Sequence, residues 1–124
     1  MELDFYFCRI CGNVVVYMHR SGVKVICCGE EMQKLAPHTK DMGLEKHVPI
    51  ITQEGNKITV KVGEIAHPML PEHHIEWIIL QTKKGYQKFD LKAGDKPEAV
   101  FYIDADDKVE TAYEYCNVHG LWKA

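Results

Sequence analysis

Along the greater part of this chain apolar and polar positions alternate with period two, and no stretch carries a convincing helical stripe. Ile58-Thr59-Val60-Lys61-Val62 is the clearest case, because it sets three β-branched side chains on one face of an extended strand. Val48-Pro49-Ile50-Ile51-Thr52 precedes it across a turn at Glu54-Gly55-Asn56. Ile75–Gln81, Tyr86–Phe89, Ala99–Ile103 and Val109–Tyr115 follow, with breakers at Lys83-Lys84-Gly85 and Gly94-Asp95-Lys96-Pro97. Six or seven short strands at regular turn spacing predict a small β-sandwich of immunoglobulin-like kind over residues 45–124.

The pattern upstream is different. Val14-Val15-Val16-Tyr17 and Val23-Lys24-Val25-Ile26 flank Ser21-Gly22 and predict a hairpin with a cysteine pair at each end, Cys8/Cys11 and Cys27/Cys28. Residues 37–44, including His-Thr-Lys-Asp-Met-Gly, are polar without periodicity and read as a linker. The expected fold class is therefore all-β: a small metal-stabilised module over 1–36, a linker over 37–44 and the sandwich over 45–124. A module of that size buries little core, so it should lean on its metal, and on a second copy of itself, for stability.

Composition narrows the function. With 46% hydrophobic and 27% charged residues, the 124-residue chain reads as a soluble globular protein. A formal charge of −3 and the lack of a long basic run argue against a nucleic-acid partner. No apolar stretch approaches the ~18 residues of a membrane span, and Met1-Glu2-Leu3-Asp4-Phe5 lacks the plan of a secretory signal, so the expected location is cytoplasmic. Five cysteines, an odd number without an export signal, point to metal ligands rather than disulfides.

Cys8, Cys11, Cys27 and Cys28 suit tetrahedral zinc or iron, and ligand type alone does not choose between them. The adjacent pair is unusual. Neighbouring side chains leave an extended backbone in opposite directions, so two vicinal ligands demand a strained backbone or a distorted tetrahedron. A Cys27–Cys28 disulfide or a thioredoxin-like redox pair competes with this reading, but no βαβ pattern surrounds the Cys-x-x-Cys. A second candidate centre is Cys116-Asn117-Val118-His119-Gly120, where a thiolate and an imidazole can reach one metal from a tight turn. His47, His67 and His73 add imidazoles at strand ends or in loops, and two prolines stiffen the loop between His67 and His73. His74 adjoins His73, so on a strand only one of them can face a site shared with His67. His19 and His38 have no partner at ligand spacing and read as surface residues.

Glu45-Lys46-His47-Val48-Pro49, His67-Pro68-Met69 with His73 six residues on, Ile75-Glu76-Trp77-Ile78, and Glu114-Tyr115-Cys116-Asn117-Val118-His119-Gly120 resemble the desulfoferrodoxins, the two-iron superoxide reductases. The four N-terminal cysteines, vicinal pair included, are similar to that family's desulforedoxin-like module. The resemblance spans essentially the whole chain. It implies one iron held by His47, His67, His73 and His119 with Cys116 axial, and a second iron held by Cys8, Cys11, Cys27 and Cys28. It implies superoxide as substrate, a rubredoxin-like electron donor and a homodimer. By the same resemblance Lys46 steers superoxide, and Glu45 takes the sixth position of the ferric iron. His74 stands where the family usually has an aromatic residue.

Three other classes fit less of the chain. A rubredoxin-like electron carrier without superoxide chemistry, or a zinc-stabilised interaction module, would use the four cysteines and leave the histidines without a role. A non-haem oxygenase would show two histidines and a carboxylate and would not need Cys116.

Overall fold

The computed structural model of the protein describes residues 3–41, 43 and 46–124, so Glu45 lies outside the described residues. The chain forms two compact units, Met1–Ala36 and Pro37–Ala124. Strands account for all the regular structure among the described residues.

The first unit holds five short strands: β1 Phe5–Phe7, β2 Val14–Val16, β3 Ile26–Cys27, β4 Glu30–Glu31 and β5 Gln33–Lys34. The expected pairing of the two valine-rich runs does not form. Val14–Val16 instead folds back on Phe5–Phe7, which adds β5 on its other side, while β3 pairs with β4. Each cysteine pair thus lies at a tight hairpin turn rather than at the end of one long hairpin. Short turns close cheaply, and the first is tied by Gly12 N–H to the Cys8 carbonyl at 2.8 Å and Cys8 N–H to the Asn13 carbonyl at 2.9 Å. Among the described residues of this unit the buried apolar set is small, comprising Phe5, Cys8 and Met32.

The second unit has seven strands: β6 Pro49–Glu54, β7 Lys57–Val62, β8 Ile75–Thr82, β9 Gly85–Asp90, β10 Glu98–Tyr102, β11 Val109–Cys116 and β12 Gly120–Lys123. They make two antiparallel sheets, β10-β7-β6 and β12-β11-β8-β9. Ile58, Val60 and Val62 from the first sheet share one core with Ile78, Leu80, Ala112 and Cys116 from the second. Period two placed these side chains together, as an immunoglobulin-like sandwich requires. The strand β12 is an addition that alternation does not reveal, because four residues are too few to show a period. Chain upstream of β6 also joins the sheet: His38 N–H bonds the Leu121 carbonyl and Lys123 N–H the His38 carbonyl, each at 2.9 Å. The exposed His38 ring lies 4.7 Å from Trp122, centroid to centroid.

Leu80 is fully buried in that shared core. Leu80→Ala should cost about 2–5 kcal/mol of stability through lost transfer energy and an incompletely filled cavity. Urea unfolding will show it as a lower midpoint with an unchanged slope.

Candidate metal centres

Sulfur geometry in the first unit follows from its turns. Cys8, Cys11, Cys27 and Cys28 offer donor atoms that all lie within 4.8 Å of one another. Cys11 Sγ and Cys27 Sγ are 3.6 Å apart, far beyond a disulfide bond, and all five cysteines of the chain are free. A tetrahedron of sulfurs with metal bonds near 2.3 Å has edges of about 3.8 Å, so the spacing fits a bound ion. The vicinal pair is accommodated by the backbone: Cys28 has φ 52°, in the left-handed region that side chains rarely adopt. That rotation turns its sulfur to the side that Cys27 already faces.

The chemistry of the four thiols also favours a cation. The Cys11 backbone N–H, against the effect of burial and with help from the Ile10 N–H, pushes Cys8 down to about 6 and readies a thiolate. Hydrogen bonding with Cys11, then Cys8, and burial push Cys28 up to about 12. Four like charges at this spacing cannot all form without a positive ion among them, which is what a metal supplies.

In the second unit the five remaining candidates meet at one end of the sandwich. His47 sits just ahead of β6, His67 and His73 bracket the loop between β7 and β8, and Cys116 and His119 flank the turn from β11 to β12. Their donor atoms lie within 4.8 Å of one another. The four rings close a cycle of edge contacts: His47–His67 at 4.5 Å, His67–His73 at 4.8 Å, His73–His119 at 5.1 Å and His119–His47 at 4.9 Å. Cys116 Sγ is 3.7 Å from His67 Nε2 and 3.8 Å from His119 Nδ1, which are opposite corners of that cycle. The sulfur is thus nearly equidistant from one diagonal pair of rings and within 4.8 Å of a donor atom on each of the four. Cys116 is wholly buried while His119 is exposed, so the thiol forms the floor and solvent reaches the rim.

Neighbouring groups hold these donors in register. His67 Nδ1 lies 2.7 Å from the Pro68 carbonyl, a contact that places the proton on Nδ1 and leaves the Nε2 lone pair facing inward. His67 Nε2 and His47 Nε2 are 2.9 Å apart, close enough that a shared cation suits them better than two bare lone pairs. The His47 ring stacks on Trp122 at 4.5 Å and 11°. The His119 backbone N–H points at Cys116 Sγ at 3.4 Å. His74 is turned elsewhere: its Nδ1 faces the Leu70 carbonyl at 3.0 Å and its backbone N–H bonds Asn117 Oδ1 at 2.8 Å. His73 takes part in the cluster and His74 does not, which is the division their adjacency predicts.

Other residues here have roles that the chain's local pattern does not reveal. Asp41 lies in the stretch read as a linker, yet its Oδ1 accepts the backbone N–H groups of His47 at 2.6 Å and Val48 at 3.0 Å. Glu114, two residues before Cys116, is fully buried and its carboxyl oxygens have no hydrogen-bond partner among the described residues. Burial, with the charge of Asp41 second, pushes it up to about 9, so it is neutral at pH 7. Asn117 Nδ2 donates to the Glu72 carbonyl at 3.0 Å, tying the Cys116 turn to the loop that carries His73.

Comparison with known proteins gives one consistent picture. The family model described as desulfoferrodoxin matches residues 39–124, and that of the desulfoferrodoxin N-terminal domain matches residues 1–35. A desulfoferrodoxin of Nitratidesulfovibrio vulgaris is 48% identical over 124 residues, covering 99% of this chain and 96% of the relative. A desulfoferrodoxin homolog of Archaeoglobus fulgidus is 44% identical over 122 residues, covering 98% and 96%. Among solved structures, the superoxide reductase from Treponema pallidum superposes with a TM-score of 0.85 at 38% identity, covering 99% of this chain and 98% of that one.

Proposed function

The chain belongs to the desulfoferrodoxin family, and from that premise we infer that His47, His67, His73, His119 and Cys116 hold the catalytic iron of a superoxide reductase. The protein is an oxidoreductase acting on superoxide, and it binds two irons. In the reaction one superoxide takes up one electron and two protons and leaves as hydrogen peroxide, and an external donor then returns the electron. The observation that carries this reading is the closed square of imidazoles over a buried thiol.

When bound by these five donors, ferrous iron would supply the electron, and the Cys116 thiolate would strengthen its tendency to give it up. The chain's own part is to hold five donors and to leave the rim at His119 accessible. The buried floor shields the sulfur, and the hydrogen bond from His119 N–H tempers its charge. Lys46, next in the chain to His47, captures the anionic substrate near that rim. Glu45 has its role on the ferric side, after the electron has gone.

Cys8, Cys11, Cys27 and Cys28 hold the second iron, and a rubredoxin-like donor returns the ferrous state. The working form is a cytoplasmic homodimer. Among the described residues no helix is long and apolar enough to cross a membrane.

Stopped-flow mixing of the pre-reduced protein with pulsed superoxide tests the reading. Iron oxidation should follow second-order kinetics and yield one peroxide for each superoxide consumed. Oxygen release at the dismutation ratio, or no reaction of the iron, would refute it. Cys11→Ser separates the two centres: it should abolish the visible spectrum of the four-thiolate iron and leave the pre-reduced catalytic iron reacting at its normal rate. If that variant's catalytic iron no longer reacts, the centres do not work through separate ligand sets.

A further inference from the structure

The Lys46–His47 peptide is gripped from two sides. On one side a single oxygen of Asp41 accepts two consecutive backbone donors, His47 N–H at 2.6 Å and Val48 N–H at 3.0 Å. Both donors precede the β6–β7 ladder, which begins at Pro49↔Val62, so the carboxylate supplies acceptors where the ladder has not started. Hydrogen bonds to a carboxylate are roughly twice as strong as neutral ones, which makes this an anchor rather than a passing contact.

On the other side lies Gly63, the first residue beyond β7. A Cβ at that position would stand 2.7 Å from the Lys46 carbonyl oxygen, 2.8 Å from its carbonyl carbon and 3.0 Å from its Cβ. These are backbone atoms and the root of a side chain, so they cannot swing aside as a side-chain tip would. Only hydrogen fits there. The same segment leads to His67, whose N–H bonds the Val62 carbonyl at 3.0 Å. Contact at Gly63 therefore joins the arm that carries His47 to the arm that carries His67.

We propose that Asp41 and Gly63 are positioning residues for superoxide capture: Asp41 anchors the His47 end of the peptide, and Gly63 leaves the space in which the Lys46 backbone rests. This rests on the capture role given to Lys46 above. A long flexible ammonium steers an anion reproducibly only if its Cα is held, and a displacement of about 1 Å can cost up to ~100-fold in a positioned reaction. Neither residue needs to touch the iron or the substrate.

The test uses the full-length, iron-loaded chain with G63A, D41A, D41N, K46I and the double variant G63A/K46I. Three quantities are read: the second-order rate with superoxide at several ionic strengths, the rate of ferrous iron loss to a chelator, and the urea midpoint of the second unit as a check on folding. G63A should slow the reaction roughly threefold to tenfold and flatten its salt slope. Added to K46I, it should do little more, because both changes remove one interaction. D41A should speed loss of the catalytic iron, and D41N, which keeps an acceptor oxygen, should restore retention.

Parental rate, salt slope and iron retention in both G63A and D41A would overturn the proposal. So would full additivity of G63A with K46I. If G63A does not fold, D41A against D41N decides alone. A K46I chain as fast as the parent would overturn the capture role itself, whereas a slow K46I beside a normal G63A and D41A would overturn only their part in positioning it.

Discussion

Cys116→Ser is expected to remove the long-wavelength thiolate-to-iron charge-transfer band of the oxidised catalytic centre and most of the superoxide reductase activity. Cys116 is wholly buried, and its sulfur stands 3.7 and 3.8 Å from opposite corners of the imidazole square. No other cysteine lies in the second unit, so no thiol can replace it. Serine nearly preserves the volume and keeps the strand β11 intact. It removes the polarisable anionic donor, and with it the electron push that a thiolate would give a bound iron. The N-terminal centre should keep its colour, because its four ligands lie in the other unit. Metal analysis of the purified variant should still find the four-thiolate iron. An unchanged long-wavelength band in Cys116→Ser would end the assignment of this thiol as a ligand.

Lys46→Ile should slow the second-order reaction with superoxide by roughly tenfold or more and weaken its dependence on salt. Superoxide is an anion, and a chain with a formal charge of −3 opposes its approach on average. On the proposed reading the Lys46 ammonium offsets that field over the last few ångströms, inside a Debye length of about 8 Å at physiological salt. Isoleucine keeps part of the apolar stem and loses the charge. The anchoring of the neighbouring peptide by Asp41 is through backbone N–H groups, so the substitution leaves it in place. Rates measured at several ionic strengths decide the matter: a variant as fast as the parent at low salt, with the same slope, leaves Lys46 no part in capture. Glu45→Ala should behave differently, sparing this first step and altering the ferric resting spectrum.

Much of the architecture is legible before any coordinates. Alternation at Ile58-Thr59-Val60-Lys61-Val62 and along Val109–Tyr115 marks strands whose inward faces then meet in one core. It works because side-chain direction in an extended chain reverses at every residue, so burial on one face writes itself directly into the sequence. Donor identity is legible for a similar reason. Cysteine and histidine are the side chains with soft or borderline metal-binding atoms, and nine of those in this chain form two clusters of four and five. The left-handed Cys28 was foreshadowed too, since adjacent ligands leave the backbone few ways to point both sulfurs inward.

The all-β character, the residues able to bind metal and the strain at the vicinal cysteines are thus written in the order of residues alone. Only the tertiary structure decided which runs pair, and it chose Phe5–Phe7 rather than Val23–Ile26 as the partner of Val14–Val16. It also added β12, brought the Asp41 carboxylate to the His47 N–H, laid the Lys46 backbone against Gly63 and buried Glu114 in neutral form within the strand that ends at Cys116. Periodicity is a local record of burial on one face. A hydrogen bond from residue 47 to residue 41, or a close approach of residues 46 and 63, depends on how separate segments register with one another, and no local pattern carries that information.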